Sequence, residues 1–79
     1  MINENKLLRV IASGLDVELS ELSLSTKSSD LAQWDSLGHL SLLMKLDEEF
    51  DNLTEKVPEI ASASSVEEIL NLINKNLIT

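Results

Sequence analysis

The triplet Asp35-Ser36-Leu37 places a hydroxyl between a carboxylate and an apolar side chain, where a polar stretch gives way to a helical pattern. A serine hydroxyl becomes a nucleophile when a base activates it, and His39, the one histidine of the chain, follows three residues later. However, the sequence has no glycine-rich element for an oxyanion hole, and 79 residues leave little room for a shielded substrate cavity. We therefore predict that the chain is not an enzyme and has no catalytic residue, and we expect His39 to face the surface or a partner.

The same serine is well placed to carry an anion. Asp35 has the residue type of a helix N-cap, because its carboxylate can accept the free backbone N–H groups of a first turn. These N–H groups and the helix dipole also favour a phosphodiester on Ser36. A serine near an N-cap is common, however, and by itself predicts only a capped helix.

Composition limits the partners and the environment. The net charge of −8 disfavours nucleic-acid binding and favours basic protein partners, although solubility alone could explain it. With no cysteine and one histidine, the chain has no zinc-finger or iron–sulfur ligand set, and no other metal site is predicted. No apolar run approaches the roughly 20 residues that span a bilayer, and the first residues lack the order of a signal peptide. We expect a cytoplasmic monomer with a single domain over residues 1–79.

Hydrophobic periodicity predicts an all-α fold with three longer helices and one short helix. The first helix is predicted over residues 4 to 14, with Asn3 as N-cap and Gly14 as a stop signal. The second is predicted over residues 36 to 50. The last is predicted over residues 66 to 77, where Ser65 and Glu68 have the spacing of a capping box. Its predicted apolar face consists of Ile69, Leu70, Leu72, Ile73 and Leu77.

Two segments have no helical period. Residues 16 to 35 predict a long ordered loop held to the core by scattered leucines, with a helical turn possible near residues 20 to 22. This loop is either functional or a plain crossover. Residues 53 to 65 predict a second irregular segment, in which Pro58 begins a short third helix through Ala61. Val57 and Ile60 are expected to seal the core there.

The second helix has too many apolar residues for one narrow face. Leu43, Leu46 and Phe50 suit the core. All of its apolar residues could be buried, as in a central helix, or some could form an exposed apolar strip beside Ser36 that docks partners. The apolar strip is defined by three residues: Leu37, Leu40 and Met44. Asp47 and Glu48 near the helix end, where the dipole disfavours acids, suggest contacts with basic partners, and Asp35 belongs to the same predicted docking surface.

Nearly the whole chain resembles the acyl carrier proteins. The resemblance rests on length, acidic balance, the long first loop, Trp34-Asp35-Ser36-Leu37, and an apolar helix that closes in Asp47-Glu48-Glu49-Phe50. It implies a four-helix bundle in which Ser36 bears 4′-phosphopantetheine, which a phosphopantetheinyl transferase supplies from coenzyme A. The thiol of this arm would hold acyl intermediates as thioesters for acyl-loading, acyl-transferring and condensing enzymes with basic surfaces.

The implied pathways are fatty-acid, polyketide or specialised lipid and glycan biosynthesis. The resemblance also suggests that acyl chains are stored between the last three helices, near Leu46, Phe50, Ile60 and Ile69. Gly38, His39 and Ser41 depart from the acids that fatty-acid carriers usually have beside the serine, and Trp34 replaces a small residue. Two alternatives remain: an aminoacyl or peptidyl carrier with the same serine chemistry, and an unmodified helical protein-interaction module.

Overall fold

The computed structural model describes residues 3–77, except for the side chain of Leu77, and this part of the chain is all-α. No helix within it is long and apolar enough to cross a membrane. It contains four α-helices and three 3₁₀ helices. The α-helices are α1 (Glu4–Leu15), α2 (Ser36–Glu49), α3 (Leu53–Lys56) and α4 (Val66–Leu77), and the 3₁₀ helices are Leu19–Glu21, Ser28–Asp30 and Pro58–Ser62.

The predicted N-cap of α1 is confirmed. The Asn3 side chain accepts the N–H groups of Asn5 and Lys6 at 2.8 and 3.2 Å. The helix ends differently from the prediction, because Asp16 adopts the left-handed conformation with φ 58° and donates its N–H to the last turn. Gly14 is therefore not the stop signal but a buried residue inside the helix.

Gly14 is the point where α1 and α2 approach each other closely. A Cβ at this position would lie 2.8 Å from the Cα of Leu42, so only glycine allows this distance between the two backbones. Leu42 is fully buried there, although the pattern of the second helix did not single it out as core. Leu46 is buried as predicted, whereas Leu43 and Phe50 are only partly buried.

The loop of residues 16–35 is ordered and held to the core, as predicted. Leu22 and Trp34 are buried, and the predicted helical turn appears as the 3₁₀ helix Leu19–Glu21. The loop is also joined to the start of α4 by backbone hydrogen bonds on either side of an isolated bridge between Lys27 and Ser65. These bonds hold residues 26–28 of the loop against α4, eight residues before Ser36.

Residues 53–65 are more regular than predicted. Leu53–Lys56 form the one-turn helix α3, and Leu53 is fully buried. Pro58 begins a short helix as expected, but it is a 3₁₀ helix that extends to Ser62. Val57 and Ile60 are fully buried, which confirms that this segment seals the core.

The last helix begins and ends where its sequence pattern predicts. The Ser65 hydroxyl accepts the Glu68 N–H at 3.1 Å, whereas the Glu68 carboxylate accepts the N–H of Ser64 rather than that of Ser65. The serine half of the predicted capping box is therefore present, whereas the glutamate half bonds to the residue before the predicted one. Ile69, Leu70 and Ile73 are buried and Leu72 is partly buried, while the predicted role of the Leu77 side chain lies outside the described residues.

Candidate functional site

Ser36 is the exposed first residue of α2. Asp35 caps the helix as predicted, since its Oδ1 accepts the Gly38 N–H at 2.8 Å and its carbonyl accepts the His39 N–H at 2.8 Å. Within residues 3–77, the Ser36 hydroxyl and the N–H groups of Ser36 and Leu37 have no hydrogen-bond partner. The site thus presents a free hydroxyl beside two free backbone donors at the positive end of a helix dipole.

Gly38 allows the preceding loop to lie against the first turn of α2. A Cβ here would collide with the carbonyl oxygen of Gln33 and would stand 3.3 Å from Oδ1 of the capping Asp35. The backbone φ of Gly38 is not positive, so the requirement for glycine is one of space and not of conformation. Gly38 therefore determines how closely the loop approaches Ser36.

His39 is half-buried and both of its ring nitrogens have hydrogen-bond partners, so it is more engaged inside the chain than expected, although its ring still lines an open groove. The indole N–H of Trp34 donates to Nδ1 at 3.0 Å, and Nε2 lies 3.1 and 3.0 Å from the carbonyl oxygens of Ile60 and Ala61. Because indole can only donate and carbonyls can only accept, this network assigns the neutral tautomer with hydrogen on Nε2. We call these hydrogen bonds the His39 bridge.

The two rings of the His39 bridge meet edge to edge. Their planes differ by 16° and their centroids are 6.3 Å apart. The indole N–H points outward in the plane of its ring, so a 3.0 Å hydrogen bond to Nδ1 between nearly parallel rings places both rings nearly in one plane and excludes face-to-face stacking. Trp34 itself is only 5% exposed. The bridge thus joins the loop before Ser36, the first turns of α2 and the 3₁₀ helix Pro58–Ser62.

Ser36 is one of the residues that line an open groove of about 620 Å³. Its lining comes from the loop before Ser36, from α2 and from Ala61 and Ala63, and it includes the two rings of the His39 bridge. Most of the remaining wall is apolar, so a flexible group attached to Ser36 could lie along it. The lining consists of Ser28, Trp34, Asp35, Ser36, His39, Leu40, Leu43, Ala61 and Ala63.

The apolar strip next to Ser36 is exposed. Leu37, Leu40 and Met44 are 78%, 55% and 65% exposed, so the interpretation in which every apolar residue of the helix is buried is wrong. Large apolar side chains grouped in this way on the surface of a small domain commonly mark a contact surface. The strip lies beside the groove, and Leu40 belongs to both.

Asp47 and Glu48, the two predicted docking acids, have different surroundings. Asp47 is half-buried, and its two oxygens accept the Thr54 N–H at 2.7 Å and the Thr54 hydroxyl at 2.8 Å. It thereby caps α3 from the preceding helix. Glu48 is exposed and forms a 3.9 Å ion pair with Lys45. Glu48 is therefore accessible from solvent, whereas Asp47 is already engaged inside the chain.

We expect Asp47→Ala to lower the free energy of unfolding by about 1–3 kcal/mol, because two donors of Thr54 lose a charged acceptor. Glu48→Ala is the matched control one residue away, and it should change stability by less than about 0.5 kcal/mol. Urea unfolding followed by circular dichroism measures both variants. Equal stabilities of the two variants would contradict the capping role of Asp47.

Comparisons of the chain with protein-family models, with curated proteins and with solved structures return no match. The likeness to acyl carrier proteins therefore rests on residues of this sequence alone.

Proposed function

We propose that the chain is an acyl carrier protein that bears 4′-phosphopantetheine on Ser36 and delivers acyl groups to partner enzymes. The observation that carries the proposal is the exposed Ser36 hydroxyl on the first residue of a capped 14-residue helix, where Ser36 also lines an open groove. A phosphodiester at this position would meet the free N–H groups of Ser36 and Leu37 and the positive end of the helix dipole. The backbone of Ser36 and Leu37 therefore fits the phosphodiester of a phosphopantetheine arm.

The loading reaction uses coenzyme A and a phosphopantetheinyl transferase. The Ser36 oxygen forms a bond to the phosphorus nearest pantetheine, the pyrophosphate bond of coenzyme A breaks, and adenosine 3′,5′-bisphosphate leaves. We expect the hydroxyl proton to pass to a base of the transferase, because within residues 3–77 no side chain is hydrogen-bonded to the Ser36 hydroxyl. When bound, the arm supplies the terminal thiol that the cysteine-free chain lacks.

The chain's own contribution is to position this serine and to meet its partners. Asp35 caps the helix and Gly38 admits the loop, so together they hold the backbone around Ser36 in one conformation. We propose that the apolar strip and Glu48 contact enzymes with basic surfaces, aided by the net charge of −8. In this proposal the four helices form a carrier bundle that acts as a cytoplasmic monomer.

Intact-mass measurement tests the proposal. Wild-type protein incubated with coenzyme A, Mg²⁺ and a phosphopantetheinyl transferase of broad specificity should gain the mass of exactly one phosphopantetheine. Fragmentation should locate that mass on the peptide that contains Ser36. No gain of mass with several transferases would overturn the proposal and favour the unmodified interaction module. Subsequent loading with an amino acid in preference to acyl groups would indicate an aminoacyl carrier.

A further inference from the structure

His39 lies at one end of the face of α2 that packs towards the core. His39, Leu43 and Leu46 are separated by four and three residues, so they follow one another along the same side of the helix. Leu46 is fully buried and Leu43 is partly buried. His39 is the member of this series nearest Ser36, so it is the first of the three side chains that a group extending from Ser36 along this face would meet.

The His39 bridge spans the gap between α2 and the 3₁₀ helix Pro58–Ser62. Nε2 donates to two consecutive carbonyls on the far side, at Ile60 and Ala61, while Trp34 holds Nδ1 on the near side. Ile60, whose carbonyl oxygen is one of these two acceptors, is itself fully buried. The ring therefore holds α2 and the 3₁₀ helix Pro58–Ser62 together next to the groove that it lines. We call the contact between these two segments the seam.

We propose that His39 is a specificity-determining residue that keeps the acyl group on Ser36 outside the core. This inference rests on the proposed function and concerns the class of cargo. The chain then carries short or polar acyl groups in the surface groove, and long alkyl chains do not reach the space around Leu46, Ile60 and Ile69.

The physical reason is the cost of opening the seam. An alkyl chain that entered here would have to separate His39 from both carbonyls and from the indole, and it offers no hydrogen bond in exchange. Partly buried donors and acceptors would remain unpaired. A long chain that stays outside can bury only part of its apolar surface against the open groove, and the part left in water is unfavourable in proportion to its area. Short or polar acyl groups avoid both costs.

Acyl-pantetheine forms of the full chain test this inference. A transferase loads wild-type protein from hydrolysis-stable, amide-linked acetyl and octanoyl analogues of coenzyme A, and intact mass confirms each product. Methyl NMR spectra then compare the two forms. For the wild type we expect the methyl signals of Leu46, Ile60 and Ile69 to coincide in both forms, and the two melting temperatures to be equal.

His39→Ala removes the bridge, whereas His39→Gln retains a side chain that can both accept from Trp34 and donate to the carbonyls. In the alanine variant we expect the octanoyl form alone to shift the core methyl signals and to melt at a higher temperature than the acetyl form. The glutamine variant should behave as the wild type does. The difference between two acyl forms of one variant is unaffected by a general loss of stability.

The comparison of the acetyl and octanoyl forms of wild-type protein tests the exclusion of long chains even if a variant does not fold. Octanoyl-dependent shifts at Leu46, Ile60 and Ile69 in wild-type protein would overturn the inference and leave the proposed function intact. Absence of any loading would overturn the proposed function itself, and the inference with it. Coincident wild-type spectra support the inference, and selective opening by His39→Ala assigns the effect to this residue.

Discussion

Ser36→Ala is expected to abolish the coenzyme A-dependent gain of mass completely, because the variant has no oxygen to form the bond to phosphorus. The fold should be unaffected, since Asp35 and not Ser36 provides the cap of α2, and the Ser36 side chain is exposed. Intact-mass spectra and a thermal melt of the same sample measure the two effects together.

Ser41→Ala provides the matched control for this experiment. Ser41 is exposed on the same helix, five residues further along, and its replacement should leave the gain of mass unchanged. Modification that persists in Ser36→Ala would show that another hydroxyl accepts the arm. Loss of modification in both variants would point to damage of the docking surface and not to loss of the attachment site.

Gly38→Ala is expected to cause the largest loss of stability among substitutions near the site. The added methyl group would collide with the Gln33 carbonyl, so the loop or the first turn of α2 must move. Overpacking of this kind costs about 1–3 kcal/mol. Each kcal/mol lowers the melting temperature of a domain of this size by about 4–8 °C.

Thermal unfolding of Gly38→Ala beside Ser41→Ala separates this collision from the general effect of alanine in a helix. Alanine favours helices more than either residue it replaces, so Ser41→Ala should be neutral or slightly stabilising. Displacement of the loop in Gly38→Ala should also slow loading of Ser36 by a transferase. A melting temperature at or above that of the wild type would contradict the steric role of Gly38.

Local signals were sufficient to predict much of this fold. The N-caps Asn3 and Asp35 bond to N–H groups two or three residues away, so their residue types and spacing reveal them. The Ser65 cap of the last helix works over the same short distance. The exposed apolar strip was predictable for a related reason, because one helix can bury only part of its circumference.

The features that the sequence did not reveal depend on partners far along the chain. His39 bonds to carbonyls 21 and 22 residues later, and no local pattern indicates that two backbone oxygens will lie there. The helix α3 takes its capping carboxylate from Asp47, which lies seven residues before Thr54. Gly14 matters only because Leu42 packs against it. The roles of these residues could not be predicted because their partners lie far away along the chain.

Trp34 gives the protein a built-in optical reporter. It is the single tryptophan of a chain without tyrosine, so the long-wavelength ultraviolet emission of the protein arises from one indole. That indole lines the groove beside Ser36 and donates its N–H to a ring nitrogen of His39. A change in the groove that alters the surroundings of this indole should therefore change the fluorescence of the protein, in real time and without a label.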